Sequence, residues 1–252
     1  MIKRFIRNLI FPPKCIGCGE LARENMLDFC DVPFCKECYL AWEKEKRERC
    51  DRCGLEMCLC DCGTPFLSRC EIEHSVKLLK YSAKKESVGK NAVFYMKKRR
   101  NNDAFLFVAG QLSVSVRRKM NELGVKNGVV VYVPRGRNGK NKYGFDQARE
   151  LAVRVSELTD MKFVPLFKKN KRIRIDQKKL GLKSRLDLAK RAFSVNKDKL
   201  FSLNGCDCVF IIDDVMTSGA SLGGCAVCLK PYYKGKIVCV TVAKTGKSSK
   251  NM

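Results

Sequence analysis

Two rhythms of apolar residues run along this chain. Short, mainly apolar runs, Val129 to Val133, Cys206 to Ile212 and Ile237 to Val242, predict buried strands, and Val209 to Ile212 has no polar alternation at all, the pattern of a strand covered on both faces. Elsewhere apolar residues recur at intervals of three and four, the spacing of a helix with one buried stripe. Val76, Leu79, Val88, Ala92 and Met96 predict one such helix, and Phe105, Val108, Ala109, Leu112 and Val116 a second. Ala148, Leu151, Ala152, Val155 and Leu158 predict a third, and Leu222, Cys225, Ala226 and Leu229 a fourth. A short strand is expected over 163–166. Strand, crossover helix and strand in repetition predict an α/β fold with a doubly wound parallel sheet. The expected organisation is a Cys-rich module over 1–65, a helical connecting segment packed on the sheet over 66–127, the sheet domain over 128–246, and a mobile tail over 247–252.

Charge changes the picture. The formal net charge is +25, and it is unevenly spread. Residues 1–70 hold 12 Lys and Arg against 11 Asp and Glu, whereas 71–252 hold 39 against 15. The excess peaks over 162–199, which carries Lys168, Lys169, Lys171, Arg172, Arg174, Lys178 and Lys179 with few acids between them. Such a field concentrates polyphosphates or nucleic acid, and these seven cations are the expected track for a single-stranded backbone. Phe163, Phe167 and Phe193 are the few aromatic residues nearby, so affinity is expected to be electrostatic rather than base-reading. No apolar run approaches a membrane span, and Met1 to Phe11, although basic and amphipathic, lacks a signal-peptide core and cleavage site. A cytoplasmic protein without stable membrane insertion is the expectation.

Eleven of the 16 cysteines fall in the first 70 residues, at metal-ligand spacings. Cys15 and Cys18, followed by Gly19, pair naturally with Cys35 and Cys38; thiolates two residues apart grip one ion from a tight knuckle. Cys50 and Cys53, followed by Gly54, open a second site. Its other half is Cys58-Leu-Cys60-Asp-Cys62, where Cys58 with Cys62 is the first choice and Cys60 is able to replace either. Four thiolates leave no open coordination position, so one or two structural zinc ions are expected. Cys225 and Cys228 share the knuckle spacing but fall on a predicted helix face, where core packing is the expected role.

One segment carries more chemistry than any other. In Val209-Phe-Ile-Ile-Asp-Asp-Val-Met-Thr-Ser-Gly-Ala-Ser221 an apolar run leads into an acid pair, then a hydroxyl- and Gly-rich turn. That order suits a buried strand whose carboxyl end meets a ligand. Asp213 and Asp214 there can hold ribose hydroxyls or hydrated Mg²⁺. Thr217, Ser218, Gly219, Ala220 and Ser221 supply backbone N–H groups and hydroxyls for a phosphate. After Val131-Tyr-Val-Pro134, Arg135 and Arg137 flank Gly136 and are placed to fork onto a pyrophosphate.

Residues 209–221 resemble the fingerprint of type I phosphoribosyltransferases, which bind phosphoribosyl pyrophosphate (PRPP). Over nearly the whole chain the order of parts resembles the ComF family, phosphoribosyltransferase-like proteins with an N-terminal double zinc ribbon. Leu9-Ile10-Phe11-Pro12, the Cys pairs, Val133-Pro134 with Tyr143-Gly-Phe-Asp-Gln-Ala148, and Gln177, Leu180, Arg185 and Ala192-Phe193 carry that likeness. Tyr143 stands where the family places Arg, and Asp146 where it places Asn. The resemblance implies a phosphoribosyltransferase whose acceptor is unknown, with Asp213 and Asp214 catalytic and Mg²⁺ accompanying PRPP. It also implies a part in natural competence, in handling incoming single-stranded DNA beside machinery such as a helicase. The other reading is a non-catalytic nucleic-acid-binding or scaffold protein that keeps the fold as a ligand sensor.

Overall fold

The apolar run ending at Ile212 lies in the middle of a sheet. The computed structural model describes residues 14–21, 32–81, 87–99, 101–136, 144–170, 188–189 and 191–245. Its strands are β1 (His74–Tyr81), β2 (Gly128–Tyr132), β3 (Lys162–Phe163), β4 (Phe167–Lys169), β5 (Phe193–Val195), β6 (Cys208–Met216) and β7 (Lys236–Thr245). The helices are α1 (Lys36–Lys46), α2 (Pro65–Arg69), α3 (Val88–Arg99), α4 (Asn102–Leu123), α5 (Gln147–Thr159) and α6 (Ala220–Leu229), with a 3-10 helix over Lys197–Leu203. Five strands form a parallel sheet in the order β1-β7-β6-β2-β3, while β4 and β5 pair antiparallel beside it.

Alternate residues of each strand feed opposite layers. Val130, Phe210, Ile212, Val238 and Val240 pack beneath α3, α4 and α5. Val129, Val131, Val209, Ile211 and Cys239 pack with α2 and α6 on the other face. Burial on both faces is why these strands read as continuous apolar runs, and each large side chain so buried contributes about 1.5–3 kcal/mol. Helices thus cover both faces of the parallel sheet, as expected.

Three expectations are corrected. Val76 and Leu79 belong to the edge strand β1, so the segment over 66–127 is not purely helical but supplies one strand of the sheet. The fully buried Lys77 breaks its apolar run, which hid the strand. The third predicted helix forms as α5, yet Leu158 on it is 42% exposed and off the core. The expected strand over 163–166 shrinks to Lys162–Phe163. The tail over 247–252 lies outside the described residues.

Candidate functional site

The carboxyl ends of β2 and β6 sit side by side, since Tyr132 is paired with Ile212. Asp213 and Asp214 extend β6 past this point, and Arg135 follows β2 by three residues. Arg135 reaches across and its guanidinium donates to Asp214 Oδ2, in an ion pair whose carboxylate is only 8% exposed. Asp214 Oδ1 accepts the Val215 N–H at 2.6 Å, and Asp213 Oδ1 accepts the Asp214 N–H at 2.8 Å. The acid pair is therefore oriented by backbone as well as by charge. Asp146, just ahead of α5, accepts the Arg135 N–H at 3.1 Å through Oδ2. Asn and Asp both offer such an acceptor at this position. Its Oδ1 is buried without a hydrogen-bond partner among the described residues.

Beyond Met216 the chain turns into α6. Gly219 takes φ +79°, and a Cβ there would meet Thr64 Oγ1 at 2.5 Å. Both the backbone angle and the close approach demand glycine. Thr217 and Ser218 are exposed, and the Ala220 N–H donates to Ser218 Oγ at 3.3 Å. Hydroxyls and the amino end of a helix so face the strand ends, the electrostatics that favour an anion. Thr64 holds the turn from behind, its Oγ1 donating to the Ser218 carbonyl at 2.8 Å.

Two groups of four cysteines lie elsewhere in the fold, the second of them bordering the turn across a shared cavity. Cys15, Cys18, Cys35 and Cys38 bring their sulfurs within 4.8 Å of one another, as do Cys50, Cys53, Cys60 and Cys62. Sulfurs at about 2.3 Å from one zinc lie about 3.8 Å apart in a tetrahedron. Cys15 and Cys35 are separated by 3.8 Å. Backbone N–H groups point at the sulfurs, from Gly17 and Cys35 to Cys15 and from Cys62 to Cys60, each at 3.3 Å. Donors of this kind stabilise thiolate. Burial raises the Cys50 thiol, but the N–H groups of Arg52 and Cys53, together with the Cys60 and Cys53 side chains, more than offset it and leave it lowered to about 6. Both groups fit structural zinc.

The knuckles are near copies. Gly19 and Gly54 have φ of +85° and +71°, and their N–H groups donate to Cys15 and Cys50 carbonyls at 2.8 and 2.9 Å. The second halves differ, and here the first choice of ligands is corrected. Cys60 joins the second group in place of Cys58. Cys58 sits on a turn with its sulfur 3.9 Å from Glu56 Oε2, where burial and then that carboxylate raise the thiol. Residues 60–62 do not turn, so side chains two apart face one way. Asp61 between them is drawn to β1, accepting the Ser75 N–H at 2.6 Å and lying 2.8 Å from His74 Nδ1.

Lysines fasten this second group to the sheet. Lys77 Nζ donates to the carbonyls of Cys60 at 2.7 Å and Cys62 at 3.0 Å, and to Ser75 Oγ at 3.1 Å. Burial lowers its ammonium, and Cys60 pulls the other way. Lys244 at the end of β7 donates to the Cys62 and Gly63 carbonyls at 3.1 and 2.8 Å. Neither lysine was foreseen. A lone cation inside an apolar run, as in Val76-Lys77-Leu78-Leu79, was the available signal.

The remaining expected residues divide. Lys168 and Lys169 lie exposed on β4, and the Lys169 stem passes beside Gly136, whose added Cβ would be 3.7 Å from Lys169 Cδ. The basic strand therefore adjoins the Arg135 turn. Arg137, Lys171, Arg172, Arg174, Lys178 and Lys179 lie outside the described residues. Cys225 and Cys228 are on α6 in the core, Cys228 donating to the Cys225 carbonyl at 3.1 Å, with burial pushing its thiol up to about 12. His74 stands at the amino end of the edge strand β1, whereas the acid pair lies towards the carboxyl end of the central strand β6. Among the described residues no helix is long and apolar enough to cross a membrane. No protein-family model and no curated protein matches the chain.

Proposed function

We propose that the chain is a PRPP-binding phosphoribosyltransferase-like protein of the ComF type, acting on or beside incoming single-stranded DNA in natural competence. The observation that carries this reading is the Arg135–Asp214 ion pair. It joins a pyrophosphate-gripping turn to a ribose-holding acid pair across two neighbouring strand ends, directly before the phosphate turn 217–221. That arrangement matches the three parts of PRPP: pyrophosphate, ribose and 5′-phosphate. Asp213 and Asp214 hold the ribose hydroxyls. Thr217, Ser218, Gly219, Ala220 and Ser221 take the 5′-phosphate. Arg135, freed from Asp214 by the incoming ligand, neutralises charge on the departing pyrophosphate. The adjacent carboxylates are hard oxygen donors of the kind Mg²⁺ takes, and the ion would neutralise pyrophosphate alongside Arg135. Single-stranded DNA fits the exposed Lys168 and Lys169 beside this site.

Equilibrium dialysis of PRPP and of ribose 5-phosphate, each with Mg²⁺, against wild type and Arg135→Gln tests the assignment. PRPP is expected to bind at least ten-fold more weakly to the variant, with ribose 5-phosphate little affected. PRPP binding equal in the two proteins would overturn it.

A further inference from the structure

Helix α4 buries one side against the sheet, through Phe105, Val108, Ala109, Leu112 and Val116. On its outer side Asp103, Leu106, Gly110, Val114 and Arg117 follow one another at helical spacing. A helix on a protein surface ordinarily keeps this side polar. Here Leu106 is 51% exposed and Val114 68%. Gly110 lies midway between them, although glycine weakens a helix interior relative to alanine. The fold itself does not ask for it, since a Cβ at Gly110 would meet no atom within 4 Å among the described residues. A second backbone approaching from outside would ask for it.

The stripe is complementary to its own reverse. Leu106 and Val114 stand four residues either side of Gly110, and Asp103 and Arg117 seven residues either side. At 1.5 Å per residue these are offsets of about 6 and about 10 Å. Turned end for end about Gly110, a second α4 lays Leu106 beside Val114 twice, Asp103 beside Arg117 twice, and glycine on glycine. A parallel copy would instead set Asp103 against Asp103 and Arg117 against Arg117, so charge selects the antiparallel arrangement. The Arg117 guanidinium donates to the Leu158 carbonyl, which brings the exposed Leu158 of α5 to the edge of the same surface.

The geometry points to a two-fold dimer of this chain, closed by antiparallel contact of α4 with α4 about Gly110. Such a contact is isologous, each copy giving the same surface, and it stops at two. A standard interface takes about 800 Å² from each partner, more than one helix stripe offers, so the association is weak and depends on concentration. Helix α4 covers the sheet face opposite α2 and α6, so a copy docked on it does not sit over the turn 217–221. Each copy carries +25, and the two repel at long range. At about 0.15 M salt the screening length of about 8 Å removes most of that repulsion and leaves the contact pairs. The inference does not rest on the PRPP reading.

Sedimentation velocity of the full chain from about 1 to about 200 μM, in about 0.15 M salt, provides the test. Wild type is expected to pass from monomer to dimer over this range. Gly110→Glu, which sets a charge against its own copy at the two-fold, should weaken the dimer ten-fold or more, with circular dichroism reporting an intact fold. Asp103→Lys and Arg117→Glu should each weaken self-association, because each leaves like charges facing. Mixed together, these two single variants should pair with one another, since every cation then meets an anion. A monomer at every concentration, as expected of a stripe that faces solvent or a different protein, would overturn the inference. So would a folded Gly110→Glu chain that dimerises like wild type, or a mixture of the two charge variants that associates no better than either alone.

Discussion

Thr64 Oγ1 donates to the carbonyl of Ser218 at 2.8 Å, across 154 residues of sequence. The same oxygen accepts the Leu67 N–H at 3.3 Å and so caps α2. One hydroxyl thus ties the end of the Cys-rich module to the turn over 217–221.

Thr64→Val should therefore have two effects. The lost cap and hydrogen bond cost about 1–2 kcal/mol in denaturant unfolding. PRPP affinity should also fall, because the turn loses its rear support, while Thr64→Ser should restore both. A stability loss with unaltered PRPP binding would show that the tether does not position the turn.

The second metal site makes a sharp prediction. Cys60→Ser should bind one zinc per chain, whereas Cys58→Ser should bind two, as counted by native mass spectrometry. The reverse outcome would return Cys58 to the ligand set.

Lys77 is buried and donates to two carbonyls of that site. Lys77→Met fills the space but orphans the Cys60 carbonyl, while Lys244 still donates to that of Cys62, at a cost of about 1–3 kcal/mol. Zinc should leave the second site faster in this variant under a chelator, with the Cys15 site unaffected. Equal release from both sites would contradict the role given to Lys77.

Asp207 supplies a pH test. Its Oδ2 accepts the Lys126 and Asn127 N–H groups at 3.0 and 2.8 Å, and these two backbone donors, the largest cause, hold its carboxyl below the usual range. The folded carboxyl is depressed, so its contribution is present above the unfolded value and is lost as pH falls through the folded one. Melting temperatures of wild type and Asp207→Asn should differ at about pH 6 and converge towards about pH 3. A gap that stays constant would remove the carboxylate as its cause.

Lys168 and Lys169 together should account for part of any single-stranded DNA binding. Changing both to Glu should weaken it and flatten its log–log salt dependence by about 1.4, about 0.7 for each phosphate no longer neutralised. An unchanged slope would place the DNA path elsewhere.

How legible this was depended on the kind of signal. Strands β2, β6 and β7 stood out because both faces are covered and their cores are almost wholly apolar, the buried Thr241 of β7 being a small exception. Strand β1 did not, because Lys77 exchanges solvent for carbonyls of the cysteine module, a partner remote from any local pattern. The first cysteine group follows from spacing alone. The second needed the knowledge that residues 60–62 run without a turn, which depends on Asp61 reaching β1. Asp213, Asp214 and the turn to Ser221 were readable in one window, whereas Thr64 and Lys244 reach the site only through the way the module folds back on the sheet.

Calorimetric titration of PRPP with Mg²⁺ into wild type and into the Asp213→Asn/Asp214→Asn chain tests the central claim most directly. Saturable binding of one PRPP per chain, weakened at least ten-fold in the variant, is the predicted result. No binding to wild type, or equal binding to both proteins, would contradict it.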